Sequence, residues 1–263
     1  MSNAVTVEVC GETDVGRMRK HNEDAFLIAD LTSGERCDSC ATKACWSAAP
    51  RGVLIAVSDG MGGAKAGEVA SAMSLEALFS GMIKGPEDGV DDARRLRRIV
   101  VQGSAAVFAA AKRPDRRGMG ATLTAVFVHD RTAYLAHIGD SRAYLLRDGV
   151  LGQVTHDQSY VQMLVDEGVL TEEEAELSPH KNIILQVMGQ KEPVTVAMGR
   201  ISMRPGDRLV LCSDGLSNMV SADELRALAA PPTPIDEACK TLVTAANLAG
   251  GADNITVIIT EAR

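Results

Sequence analysis

The chain has 263 residues, 46% of them apolar and 24% charged, with a formal net charge of -8. That length allows one or two domains of roughly 100–200 residues each, in an ordinary globular composition. The negative charge argues against a nucleic-acid partner, which needs a basic patch, and no apolar run approaches the ~18 residues of a membrane span.

Residues 6–10, 24–29 and 52–57 are short and rich in Val, Ile and Leu, which predicts strands. Residues 64–82 carry Val69, Ala72, Met73, Leu75, Leu78 and Phe79 as an apolar helical stripe, and 91–112 is a second helix with Asp91 and Asp92 at its N-terminal dipole. Closely spaced strands follow at 121–128, 133–138, 142–146 and 151–154. Asp148-Gly149 between the last two predicts a hairpin, because both central turn residues need positive φ. Residues 159–176 read as an acidic helix, and 194–202 and 208–212 as strands joined by a Pro205-Gly206-Asp207 turn. Helices at 222–230 and 235–248, split by Pro231, Pro232 and Pro234, precede a last strand at 255–260. Adjacent strands alternating with pairs of helices predict an α+β fold with antiparallel sheets covered by helices.

The acids fall at the mouths of these strands. Asp59-Gly60 follows 53–57, Asp214-Gly215 follows 209–212, and Asp140 follows 135–139. Asp253-Asn254 precedes 255–259, and Glu23-Asp24 precedes 25–28. Carboxylates gathered there repel one another unless cations lie between them, and hard oxygen donors suit Mg²⁺ or Mn²⁺. Each Asp-Gly taken alone also reads as a turn. Gly60-Met61-Gly62-Gly63 is no dinucleotide loop, since Lys65 holds the last glycine position and no acidic strand end follows about 20 residues on. An EF-hand fails as well, for want of alternating ligands after Asp59.

Six motifs in order carry a resemblance: 13–24 (Thr13 to Asp24), Ser58-Asp59-Gly60-Met61-Gly62-Gly63, Gly118-Met119-Gly120-Ala121-Thr122, His137-Ile138-Gly139-Asp140-Ser141-Arg142, Ser213-Asp214-Gly215-Leu216 and Asp253-Asn254-Ile255-Thr256-Val257. Together they resemble the bacterial members of the PPM family, the type 2C protein Ser/Thr phosphatases, over residues 6–260, nearly the whole chain. The resemblance implies a single domain over 1–263, built as a four-layer αββα sandwich of two antiparallel sheets flanked by helices. It implies two Mn²⁺ or Mg²⁺ ions, with Asp59 bridging both, the Gly60 carbonyl on one, Asp214 and Asp253 on the other, and Glu23 and Asp24 acting through water. Asp140 would help hold a third, weaker metal, and Arg19 would clamp the substrate phosphate with its planar guanidinium.

The implied reaction is hydrolysis of phosphoserine and phosphothreonine by a water that two cations activate, with no covalent phosphoenzyme and so no need of a cysteine nucleophile. Many eukaryotic members place a histidine where this chain has Met61, so the leaving group takes its proton from a metal-bound water or another group; His21 is one candidate, but a loop hydrogen-bonder is its preferred reading. The expected partners are phosphorylated proteins and an opposing eukaryote-like Ser/Thr kinase, with the protein a monomer. Rival readings are a catalytically dead phosphoprotein-binding module, disfavoured by Asp59, Asp214, Asp253 and Arg19, and a scaffold in a larger complex.

Residues 30–51 exceed a hairpin's needs and carry Cys37, Cys40, Cys45 and Trp46. Three thiols without a histidine fall short of a structural zinc site, so a surface insertion is the preferred reading over a metal or redox site. Cys10, Cys212 and Cys239 read as core. The uneven cysteine spacing is no disulfide framework, and residues 1–10 show no secretory pattern, so a cytoplasmic protein is expected. Arg94, Arg95, Arg97, Arg98, Arg113, Arg116 and Arg117 read as a solvated face, or as a dock for an acidic phosphoprotein. Residues 155–189 resemble the flap beside the family's active site.

Overall fold

Residues 53–57 and 208–212 are buried at every position, so both faces of these strands are covered and neither can belong to a sheet with a wet side. A computed structural model, which describes residues 4–38, 43–62, 66–86 and 88–263, shows what covers them. Its strands are β1 (Thr6–Asp14), β2 (Asp24–Asp30), β3 (Arg36–Cys37), β4 (Ala44–Ser47), β5 (Val53–Met61), β6 (Gly120–Ala121), β7 (Leu123–His129), β8 (Thr132–Ile138), β9 (Arg142–Arg147), β10 (Val150–Gln153), β11 (Ala197–Ser202), β12 (Arg208–Cys212) and β13 (Ile255–Ala262). The helices are α1 (Ala66–Met82), α2 (Asp92–Ala111), α3 (Tyr160–Asp166), α4 (Glu172–Leu177), α5 (Asp214–Ser217), α6 (Ala222–Ala229) and α7 (Ile235–Leu248).

One sheet runs β10-β9-β12-β13-β1-β4 and the other β11-β8-β7-β5-β2-β3, with β6 paired to the end of β5. Every ladder in both is antiparallel. Between the sheets lies a core that includes Val7, Val9, Phe26, Ile55, Val57, Leu209, Leu211 and Ile258. The alternate residues of the same strands face outward. Leu27, Leu54 and Phe127 meet α1 and α2, while Cys10, Val210, Val257 and Ile259 meet α6 and α7. The result is the four-layer sandwich expected from the resemblance, and its period-2 alternation of two buried faces is the physical reason the strands read as unbroken apolar runs.

Local chemistry sets the boundaries. Asp91 is the N-cap of α2, its carboxylate accepting from the Arg94 amide at 2.9 Å. Asp148 and Gly149 both have positive φ, 52° and 78°, and Arg147 pairs with Val150 across them, as the Asp-Gly hairpin requires. The expected acidic helix over 159–176 is two short helices instead, α3 and α4. A new N-cap at Thr171, in a capping box with Glu174, restarts the chain there. Arg95 leaves the expected solvated face: it is 3% exposed, donates to the Met82 carbonyl and lies 6.0 Å from the Phe127 ring centroid.

The cysteine segment also differs from a plain surface insertion. β3 extends one sheet beside β2, and β4 extends the other beside β1. Cys37, Ala44 and Trp46 pack on the inter-sheet core, whereas Cys45 is exposed on the other face of its strand. Cys37 and Cys45 thus stand on edges of different sheets; Cys40 lies outside the described residues. Cys10, Cys212 and Cys239 are buried as expected.

Because Trp46 is part of the sandwich, Trp46→Ala is expected to lower the unfolding free energy by about 2 kcal/mol, below the full cost of a completely buried aromatic. Val150→Ala, at a position 69% exposed, should stay within about 0.5 kcal/mol. Urea titrations of both variants check this; equal effects would return 44–47 to the surface.

Candidate metal centre

Asp24 and Asp59 are directly opposed in the β2–β5 ladder, Asp24 starting one strand and Asp59 near the end of the other. Asp140 leaves β8 of the same sheet. From the second sheet come Asp214, which opens α5 just after β12, and Asp253, just before β13. All five acids therefore reach the same open end of the sandwich, one set from each sheet. Asp59 lies within electrostatic reach of Asp24, Asp214, Asp140 and Asp253 together. Asp59 stands within β5 rather than beyond it, because the strand runs on to Met61 through its pairing with β6.

Close backbone approach makes this convergence possible. A Cβ on Gly67, in the first turn of α1, would fall 1.8 Å from the Glu23 carboxylate, and one on Gly60 would fall 2.1 Å from the Gly67 carbonyl. Both positions need glycine so that Glu23, Gly60 and α1 can touch. At the Asp140 turn, Gly139 has φ of 106° and faces Thr122, which excludes a side chain there.

A shell of neutral groups holds the acids. Asp24 Oδ2 accepts from Ser213 at 2.6 Å and from Thr256 at 2.7 Å, a link from one sheet to the other. Thr256 spends its proton on Asp24, so Thr13 donates to Thr256, and Asn22 in turn donates to Thr13. Asn254 donates to the carbonyls of Val15 and His21 and accepts from the Glu23 amide, fixing the loop that carries Arg19. Thr122 accepts from the Asp59 amide and is bonded to Ser141, tying the Asp59 and Asp140 turns together. None of these partners was singled out as a site residue from the sequence. Their signal was present nonetheless: Ser58, Ser141, Ser213 and Asn254 each adjoin one of the aspartates.

The electrostatics are those of acids short of counter-charge. Burial, with added repulsion from its neighbours, raises Asp24 to about 7 even against its two hydroxyl donors. Burial and the Asp214 charge raise Asp140 to about 8, and burial and the Asp253 charge raise Asp214 to about 6. Asp59 is pushed well above the carboxylate range by burial and then by Asp24, and burial also raises Glu23. One carboxylate oxygen each of Asp24, Asp140 and Asp214 is buried without a hydrogen-bond partner, a costly arrangement unless a further group satisfies it.

Arg19 is bonded to the cluster: its guanidinium donates to Asp253 at 2.7 Å and is itself raised in pKa by that bond. Among the described residues, no three His, Cys, Asp or Glu side chains already stand in metal-ligand geometry. The donor set still fits divalent ions: hard oxygens, buried, mutually repelling and partly unsatisfied, with no thiol or imidazole at their centre. His21 is exposed and its carbonyl accepts from Asn254, and Met61 Sδ accepts from the Gln190 side-chain amide at 3.5 Å.

Beside the cluster lies the 155–189 segment. Asp157 Oδ2 accepts from Arg142 Nε at 2.9 Å and from Nη2 at 2.8 Å. Gln158 exchanges bonds with Gly139, donating its amide to the carbonyl and accepting through its side chain. The segment is thereby anchored to the turn that carries Asp140.

A family model described as Protein phosphatase 2C matches residues 30–247. The chain is 43% identical to the serine/threonine protein phosphatase PstP of Mycobacterium tuberculosis over 211 residues; that match takes in 79% of this chain and 40% of PstP, so the chain spans well under half of that relative. It is 36% identical to the protein phosphatase PhpP of Streptococcus pneumoniae over 254 residues, 96% of each chain. A solved structure of the PstP catalytic domain in complex with two manganese ions superposes with a TM-score of 0.79 at 35% identity, covering 98% of this chain and 99% of that one. The chain belongs to the Protein phosphatase 2C family, the bacterial PPM-type Ser/Thr phosphatases.

Proposed function

We propose that this protein hydrolyses phosphoserine and phosphothreonine in proteins, at a dinuclear centre of Mn²⁺ or Mg²⁺ built on Asp59, opposing a eukaryote-like Ser/Thr kinase. The observation that carries the proposal is the convergence of five aspartates from two sheets, with three buried carboxylate oxygens unpartnered. Asp59, opposed to Asp24 in the ladder and near Asp214 and Asp253, is the residue to bridge two ions. The Gly60 carbonyl would serve one ion, Asp214 and Asp253 would hold the other, and Glu23 and Asp24 would act through water. Asp140, in the turn anchored to the flap, would serve a third, weaker ion.

Two bound divalent ions supply a water of lowered pKa and offset the charge of the phosphoryl oxygens. The chain's own residues do the rest. Arg19, held at the cluster by Asp253, would offer its planar fork to two oxygens of the substrate phosphate. Ser213 and Thr256 keep Asp24 fixed while the charges around it change. Met61 carries no transferable proton, so the leaving oxygen takes its proton from another group.

Turnover of p-nitrophenyl phosphate should vanish in excess EDTA and return with Mn²⁺. Asp59→Asn should keep its fold and lose more than about nine-tenths of kcat, which is ~1.4 kcal/mol of barrier. A variant retaining more than that fraction would remove Asp59 from the bridging role.

A second expectation concerns pH. Asp24, Asp140 and Asp214 have folded values of about 7, 8 and 6, against about 3.9 unfolded. Groups raised in this way stabilise the metal-free fold fully below the unfolded value and lose that contribution as pH climbs through the folded ones. The Tm of metal-free protein should therefore fall from about pH 5 to pH 8.5, and Mn²⁺ should raise it more at pH 8 than at pH 5. Differential scanning fluorimetry reads both; a metal-free Tm that is flat or rises over this range contradicts the clustered arrangement.

A further inference from the structure

A groove of about 650 Å³ leads away from Asp140 and Asp214, between the flap on one side and the 217–222 segment after α5 on the other. It opens onto the cluster itself, so whatever flanks a phosphoryl group held there must cross it or turn away from it. Its floor is apolar, with Val161 and Val165 from α3 and Val220 opposite. Its charge is unbalanced. Asp157 is neutralised by Arg142, and Asp140 and Asp214 belong to the proposed metal centre, which leaves Glu172 and Glu176 facing Lys181 alone.

Those two glutamates are one helical turn apart on α4 and share a face. They are exposed, and among the described residues neither has an ion-pair partner. Glu174, between them, is committed to the capping box with Thr171, which fixes the helix and its groove-facing side. An apolar floor with carboxylates at its rim suits the side chains of lysine and arginine, whose aliphatic stems cover apolar surface while the charged heads stay at the edge.

Resting on the phosphatase reading, we infer that this groove binds the substrate segment flanking the phosphoresidue and selects basic side chains there, with Glu172 and Glu176 as the selecting groups. The test compares phosphothreonine peptides that differ only in carrying Arg or Glu in the flanking positions, on either side, with p-nitrophenyl phosphate as a substrate that cannot reach the groove. The wild type with Mn²⁺ should show kcat/KM about five- to tenfold higher for an Arg-flanked peptide, the effect of two exposed ion pairs, and the preference should shrink in about 0.5 M NaCl. Glu172→Lys with Glu176→Lys should abolish or reverse it while p-nitrophenyl phosphate hydrolysis stays within about twofold. Equal kcat/KM for the wild type, or a preference the double variant keeps, overturns the inference and leaves the phosphatase reading intact. Absence of p-nitrophenyl phosphate hydrolysis by the wild type overturns both.

Discussion

Five carboxylates cannot share one end of a protein without something to oppose their repulsion, and that constraint organises this molecule. Two sheets deliver the acids, Asp24, Asp59 and Asp140 from one and Asp214 and Asp253 from the other. The inter-sheet core of Val, Ile and Leu then holds the sheets together at the cost of bringing like charges close. Locally the opposition comes from neutral donors and from cations: Ser213 and Thr256 on Asp24, Arg19 on Asp253, and the Arg142 charge acting on Asp140 and Asp214. It is incomplete, as the unpartnered oxygens of Asp24, Asp140 and Asp214 and their raised pKa values show. A site kept short of positive charge by its own scaffold is a site prepared for cations.

The same shortage explains why Arg19 can serve two purposes. Bonded to Asp253 it is a structural counter-ion. Under the proposed function, a cation on that carboxylate leaves the guanidinium free for the next anion, the phosphate. The loop that presents it is fixed independently by Asn254, through the Val15 and His21 carbonyls and the Glu23 amide, so the side chain can change partner while its backbone stays in place.

Much of this was legible in the sequence, for identifiable reasons. Strands buried on both faces gave unbroken apolar runs at 53–57 and 209–212, and the acids at their ends marked where the chain leaves the core. Asp148-Gly149 specified its hairpin because backbone sterics leave that dipeptide few alternatives. What was not legible depends on contacts distant in sequence. The two-residue β3 and the β4 strand exist because sheet edges lie beside them; nothing in 36–47 alone demands them. Arg95 is buried because Phe127 and the Met82 carbonyl meet it there, although its neighbours face solvent. The hydroxyls of Thr13, Thr122 and Thr256 were hidden for the same reason, each residue reading as an ordinary strand or turn position until the sheets are stacked. Electrostatic clustering is likewise a tertiary property, visible from sequence only through the resemblance to a family.

The central claim is that the aspartate cluster holds two cations joined through Asp59. Electron paramagnetic resonance during a Mn²⁺ titration tests it most directly, independently of any turnover. Two equivalents per chain should bind tightly and give the spectrum of exchange-coupled ions, with a third equivalent bound more weakly, and Asp59→Asn should lose the coupling. Binding of a single tight ion, or two ions with uncoupled spectra in the wild type, would contradict the account.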